Sequence, residues 1–351
     1  METVTNKLPC HNDNRSFFQK LQNAEGLDLR DNRGKRHDLA VVLVGVTLAV
    51  LSNRDGSLSS IHRHLLKHYD KLVEVLAVEK KRPVSRSQLP KILEKVSLQV
   101  FDQKLFGHYG IRFNEKEQKW FGIDGKELRG SIAEGEKRGE AIVQAVEHES
   151  QQGVGQTFYS GQKESEVVAV RQLFEQSAIA SQKVSLDALH CKPKTLKLVT
   201  QRGGKYLVGL KENQKHLKKQ ILQQIEKQAI LFKSSQLEKG HGRIERRRYE
   251  FYDLLEMPKD ERWNLCQIKT LIKVKRERVQ IRSGKKSTEE SYYLSNEVGN
   301  YEELCKAVRG HWQVETANHV RDVSLKEDSL RSKKRIYNEQ WQQSEHWQQR
   351  F

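Results

Sequence analysis

The sequence predicts an α/β protein: a mixed-sheet core carrying a β-rich insertion, preceded by a helical N-terminal domain. Three observations predict it. Apolar residues recur at helical spacing through the first 110 residues or so. From about residue 117, short apolar runs alternate with helical segments, and two of those runs end in an acid. Between about 229 and 297 the pattern changes to strand-like alternation in a very basic stretch.

The elements follow in order. Residues 13–37 are polar and end in the basic cluster Arg30, Arg33, Lys35, Arg36 and His37. Leu39–Leu51 is the longest apolar run. It falls short of the roughly 20 residues a spanning helix needs and lies too far from Met1 for a signal peptide, so it predicts a buried helix. Ser57 or Ser59 caps a further helix with Ile61, Leu65 and Leu66 on its apolar side. A third starts near Ser87, with Pro90 in its first turn and Leu89, Ile92, Leu93 and Val96 as its stripe. Lys81, Arg82 and Arg86 precede it, and Lys91 and Lys95 lie on its polar side. Small helices with basic faces suit DNA docking.

Trp120–Asp124 is expected as a strand ending in an acid. Ala141–Glu147 and Gly155–Tyr159 make two more strands, with Gln151, Gln152 and Gly153 in the turn between them. Ser165–Ser177 reads as a helix through Val167, Val170, Leu173 and Phe174. Lys183–Asp187 is again a strand ending in an acid. Pro193–Gln201 is a short helix closed by Gly203 and Gly204, Lys205–Leu210 is a strand, and Asn213 caps a polar helix through Lys227. Three antiparallel strands, a helix, a strand, a helix and a strand resemble the ribonuclease-H-like order. Arg243, Arg246, Arg247 and Arg248 then precede Tyr249–Tyr252, and Ile272–Ser283 opens with strand alternation, as an inserted β segment would.

Bulk properties narrow the function classes. The 351 residues hold 63 Lys and Arg against 46 Asp and Glu, a net charge of +17. Such a balance favours a polyanionic partner over a neutral metabolite. Cys10, Cys191, Cys266 and Cys305 show neither disulfide-framework nor zinc-finger spacing. There is no GxxxxGK[ST] motif and hence no P-loop requirement for ATP. With no visible targeting segment, the cytoplasm is the expected compartment and no membrane partner is expected.

Within this basic chain, Asp124, Asp187 and Glu315 stand in three separate patches, two at predicted strand ends and one on a helix. Carboxylate oxygens from separate elements are what Mg²⁺ or Mn²⁺ requires, and paired hard cations can clamp the attacking and leaving oxygens of a phosphodiester. A competing pattern is His311, Glu315, His319 and Asp322 near one helical face, a donor set suited to zinc, although its spacing is not HExxH. In the preferred reading Glu315 holds metal while His311 and Asn318 orient DNA or the acids.

Four stretches, Ile123–Ser131 (IDGKELRGS), Leu186–His190 (LDALH), Gly204–Gln214 (GKYLVGLKENQ) and Val308–Glu315 (VRGHWQVE), are followed by His319, Asp322-Val323 and Glu327-Asp328. Over roughly residues 25–331 the chain thereby resembles the DDE transposases of bacterial insertion sequences, in the group that includes the H-repeat-associated proteins. The resemblance implies a helical N-terminal domain, a ribonuclease-H-like catalytic core with a β insertion, and a metal site whose acids fall on Asp124, Asp187 and Glu315. Lys126, Arg129, His190, Lys211, Asn213, Arg309, His311, Trp312 and Asn318 become candidate supporting or DNA-contacting residues. It also implies Mg²⁺ or Mn²⁺, double-stranded DNA (element ends and target) and a homo-oligomer on that DNA.

The expected division is 1–112 for end binding, 113–228 and 298–331 for the catalytic core, 229–297 for the basic insertion, and 332–351 for a polar tail. Two departures stand out. The Y-x2-R-x3-E-x6-K pattern of the broader superfamily meets Val308, His311, Glu315 and Asp322 here, so its Arg and Lys roles do not transfer. The Gln-rich tail from Tyr337 replaces the usual last apolar helix, as a frameshift near Lys333-Lys334 would produce. The rivals to a transposase are an inactive DNA-binding remnant or repressor, and a stand-alone nuclease indifferent to inverted ends.

Overall fold

The structure, a computed structural model, describes residues 15–52, 57–109, 117–129, 132, 139–159, 163–226, 228–256 and 258–323. The chain divides into two compact units, Met1–Gly110 and Ile111–Phe351.

In the first unit the regular elements are helices. Ser16 caps α1 (Phe17–Gln22) through a capping box with Gln19, satisfying two terminal backbone donors at once. Helix α2 (Leu39–Ser52) is apolar on nearly every side and correspondingly buried. Gly45 lets it approach α3 (Leu58–Val75), since a Cβ there would lie 3.1 Å from Leu72 and 3.2 Å from Leu65. Ser57 caps α3 and accepts from the Ser60 amide. Ile61 and Leu65 are buried as expected, whereas Leu66 is 43% exposed, because its position turns off the α2-facing stripe.

Pro90 sits in the first turn of α4 (Leu89–Leu93), a shorter helix than the apolar stripe suggests. The chain turns at Val96, which bridges back to Asp28, and a further helix, α5 (Leu98–Tyr109), begins. Arg30 of the basic cluster is engaged internally. It makes two bonds of 2.8 Å to the Asp28 carboxylate and one of 2.9 Å to the His37 carbonyl. Arg33, Lys35 and Arg36 are exposed.

The second unit is built on one nine-stranded sheet of order β3-β2-β1-β4-β5-β9-β8-β7-β6. The strands are β1 (Trp120–Glu127), β2 (Ala141–Glu147), β3 (Gly153–Tyr159), β4 (Lys183–Leu186), β5 (Lys205–Leu210), β6 (Phe232–Gly240), β7 (Arg243–Asp253), β8 (Thr270–Gln280) and β9 (Lys286–Ser295). Strands β1 to β3 are antiparallel, while β4 and β5 continue parallel to β1. The basic segment is an antiparallel meander whose last strand pairs with β5, so it extends the core sheet instead of forming a separate body.

Alternation along the strands splits the core into two faces. Phe121, Ile123, Val143, Ala145, Tyr206 and Val208 pack against α6 (Lys163–Gln176), α7 (Pro193–Gln201) and α8 (Lys215–Ile225). Trp120, Leu207, Tyr249 and Ile272 face α9 (Tyr301–Gly310), and Val146 faces α10 (Trp312–Val323). The Trp120 indole N–H and the Lys183 ammonium both donate to Glu303, tying α9 to β1 and β4.

Three sequence expectations need correction. Strand β1 runs on to Glu127, so Asp124 lies inside it and not at its end. Pairing with β2 continues through Glu127↔Ala141, and that ladder outweighs the break suggested by Asp124-Gly125. Gly153 belongs to β3, not to the turn. Asn213 does not cap α8; its amide donates instead to the Ala188 carbonyl at 2.6 Å, and Gln214 takes the N-cap place without a side-chain bond. The tail at 332–351 and Glu327-Asp328 lie outside the described residues.

Candidate active site

The site assembles on the sheet face covered by α10. Asp124 of β1 is paired with Gln144 of β2, which pairs with Gln156 of β3, so the three side chains share that face. Ile123 is in register with Leu186, the last residue of β4, and this places Asp187 at the level of Asp124 along the parallel pair. Asp187 then caps the 3-10 turn Ala188–His190, its carboxylate accepting from the Ala188 amide. Gly122 leaves room for α10: a Cβ there would stand 3.2 Å from Cβ of Val314. One residue after Val314 comes Glu315, which is exposed. One turn further, the Asn318 amide donates to Oδ2 of Asp124 at 3.2 Å and its carbonyl accepts from Gln144.

The junction of α9 and α10 is pinned by a relay of short contacts. His311 Nδ1 lies 3.0 Å from the Ser185 hydroxyl, which lies 2.9 Å from His148 Nε2. The His148 ring stacks on Trp120 at 6.1 Å. Burial holds both imidazoles well down, at about 4, so they stand neutral at pH 7 and fix α10 without adding charge.

Electrostatically the acids sense one another. Burial, followed by the carboxylates of Glu166, Glu315 and Asp187, pushes Asp124 up to about 7. Glu315 is raised by partial desolvation and by Asp187, against the opposing pull of Lys211. The Lys211 ammonium stands 3.6 Å from Asp187. Oxygen donors that repel one another fit a hard divalent cation in chemistry and charge. Among the described residues, no three His, Cys, Asp or Glu side chains stand as a ready-made metal cluster.

The remaining candidates have different surroundings. Lys126 is buried on β1, and Arg129 is exposed just beyond it. His190 is fully buried and bonds Glu166 of α6 at 3.0 Å, which removes it from any DNA surface. Asn213 holds the Ala188 carbonyl and so steadies the turn that carries Asp187. Arg309 pairs with Glu238 of β6 at 3.2 Å. Trp312 is 41% exposed, with the Arg276 guanidinium 5.7 Å from its ring centre. His311 meets the Ser185 hydroxyl through Nδ1; His319 is exposed, and the Asp322 side chain lies outside the described residues.

Glu166, Gln144, Ser185 and His148 were missed by sequence reasoning. Gln144 and Ser185 lie on strands β2 and β4, Glu166 on α6 and His148 in the turn after β2, and none was singled out for its own chemistry. The signal available was the glycine on either side of the Ile123-Asp124 pair, since a side chain at Gly122 would meet Val314 of α10 and one at Gly125 would meet Glu166.

Comparison with known proteins agrees with the resemblance read from the motifs. The profile of the family described as "Transposase DDE domain" matches residues 100–342. The chain is 24% identical over 317 residues to the "H repeat-associated putative transposase YhhI" of Escherichia coli K12, covering 87% of this chain and 82% of that protein. It is 25% identical over 312 residues to "Putative protein YbfL" of the same strain, again covering 87% and 82%. The family match spans well over half the chain and includes all three acids, so this protein belongs to the DDE transposases of insertion sequences.

Proposed function

We propose that the protein cuts and joins the ends of its own insertion sequence, using Asp124, Asp187 and Glu315 to hold the divalent ions for phosphodiester chemistry. What supports this reading is the register that sets Asp187 level with Asp124 and the docking of α10, the helix of Glu315, which brings Asn318 to 3.2 Å from Asp124. The strand order, antiparallel β1–β3 followed by parallel β4 and β5 with helices on both faces, supports reading the core as ribonuclease-H-like. In that reading β6–β9 are an insertion between the second and third acids. The first unit supplies end binding, and the exposed Lys81, Arg82, Arg86, Lys91 and Lys95 support that role.

When bound, Mg²⁺ or Mn²⁺ would supply Lewis-acid stabilisation of the phosphodiester and a water more readily deprotonated. The protein's own part is to present the oxygens. Asn318, itself held by Gln144, orients the Asp124 carboxylate. Asp187 and Glu315 are exposed, so side-chain rotation can turn their oxygens toward a cation shared with Asp124. Lys211 and Asn213 set the charge and shape around Asp187. The reaction is hydrolysis of a strand at the element end to free a 3′-hydroxyl, then attack of that hydroxyl on target DNA.

The test is Asp124→Asn. Strand cleavage on end-containing duplexes in Mg²⁺ should fall on the order of 10³-fold or more, the several kcal/mol that metal-assisted charge stabilisation supplies. End binding measured by gel shift should change little. Cleavage at the wild-type rate would remove Asp124 from the chemistry, and cleavage without regard to the inverted ends would point to a general nuclease.

A further inference from the structure

Glu166 lies outside the four stretches that carry the resemblance, yet it packs beside the site. It projects from α6 onto the backbone of β1. A Cβ added to Gly125 would come within 2.5 Å of the Glu166 carboxyl carbon and 2.7 Å of the Tyr159 hydroxyl, so the glycine after Asp124 is the space Glu166 occupies. Both carboxylate oxygens are held. Tyr159 donates to Oε2 at 3.0 Å, and the His190 ring meets Oε1 at 3.0 Å. Glu166 is therefore aimed by two groups, one on β3 and one on the turn that Asp187 caps.

We infer that Glu166 is a fourth acid of the site, a positioning residue whose charge strengthens the hold of Asp124, Asp187 and Glu315 on divalent cations. The inference rests on the proposed metal site. Its argument is that the hydrogen bonds alone do not call for a charge. A glutamine would accept from Tyr159 and donate to the other tautomer of His190 without repelling Asp124. The carboxylate instead packs against Gly125, the residue next to Asp124, and is tied through His190 to the turn that Asp187 caps, so its charge stands beside two of the proposed ligands. A divalent cation gripped by the neighbouring acids would gain from that further negative charge.

The test is Mn²⁺ titration of the full chain followed by electron paramagnetic resonance, on wild type, Asp124→Asn, Glu166→Gln and Tyr159→Phe. Asp124→Asn should bind much more weakly than wild type. Glu166→Gln keeps the shape and loses the charge, and should weaken Mn²⁺ binding about tenfold or more, the scale of groups that support metal ligands. Tyr159→Phe loses one bond and keeps the charge, and should stay within about threefold of wild type, a smaller loss than that scale. If Asp124→Asn loses Mn²⁺ while Glu166→Gln binds as wild type, Glu166 is structural only and the inference is overturned alone. An equal loss in Tyr159→Phe and Glu166→Gln overturns it too, since packing and not charge would then be at work. If wild type takes up no Mn²⁺, or Asp124→Asn binds as wild type, the metal-site reading itself fails and the inference with it.

Discussion

Asp124 concentrates the physics of the site in one side chain. It is an acid on an inner strand, under a helix, with three other carboxylates acting on it. Its pKa rises from 3.8 unfolded to about 7 folded, so the folded chain holds more protons than the unfolded one between those values. Stability therefore falls as pH rises through that window. His148 and His311 act in the opposite sense. Lowered from 6.5 to about 4, they leave the unfolded state with more protons in that range, so their contribution is lost as pH falls from 6.5 toward 4. Comparing Asp124→Asn with wild type cancels the histidines and leaves the contribution of Asp124 together with the carboxylates coupled to it. In EDTA the variant should match wild type near pH 4 and exceed it by roughly 4 kcal/mol near pH 8, at about 1.4 kcal/mol per pH unit. Urea unfolding followed by tryptophan fluorescence reads this directly, because Trp120, Trp263 and Trp312 all lie in the sheet unit. A variant no more stable than wild type at pH 8 would show that Asp124 carries no such burden.

The elements around the site are located by glycines more than by their apolar stripes. Gly310 ends α9, and a Cβ there would stand 2.3 Å from Nδ1 of His148, whose ring is already held by Trp120 and Ser185. Gly310→Ala should therefore cost about 1–3 kcal/mol and displace α10. With it would go the Asn318 contact to Asp124, so cleavage should fall more than end binding. Equal losses in the two assays would count against α10 as the element that aligns the acids. The end of α7 offers a paired test. Gly203 and Gly204 close the helix through amides that donate to Thr200 and Val199, both at 3.0 Å. Gly203 has φ +73° with open space around it, whereas a Cβ on Gly204 would meet the Ala180 carbonyl at 2.1 Å. Gly203→Ala should cost about 1–2 kcal/mol for the left-handed backbone. Gly204→Ala should lower the melting temperature further, because a backbone carbonyl cannot step aside as a side chain can.

Across the whole molecule, charge is distributed less simply than the net +17 implies. In the meander of β6–β9 much of the basic charge is already matched. Arg247 pairs with Glu245 and Glu238, Arg248 with Glu277, Arg276 with Glu289, and Arg278 with Glu245. Apart from Arg247–Glu245, which lies within β7, these pairs span neighbouring strands and hold the register of a long polar ribbon. DNA contacts should accordingly draw on fewer phosphates than the excess of 17 allows, while remaining strongly electrostatic. A protein neutralising about six phosphates loses on the order of 10³ in affinity between 50 and 200 mM salt. Fluorescence anisotropy on an element end should show a slope of log affinity against log salt near −5, since each phosphate contributes about −0.9. A flat profile would exclude phosphate contact as the source of affinity.

Local chemistry made much of this protein legible from its sequence. A long apolar run located α2, helical spacing α3, short apolar runs β1–β5 and alternation part of the basic meander, and the Gly pair marked the end of α7, because each depends on neighbours a few residues away. The motifs carried the family and the three acids with it. What local pattern does not encode is register and facing. That Asp124 sits inside a strand, that Asn213 serves Ala188 and not α8, and that β6–β9 lengthen the core sheet were decided by pairing between distant segments. Glu166 could not be singled out beforehand, since one acid on a helix resembles any solvated charge until Tyr159, His190 and Gly125 close around it. The sequence alone determined which residue types are present and which local elements they form. Only the tertiary structure decided which of those side chains share a face, because long-range strand pairing and helix docking choose one arrangement among many that the same local preferences allow.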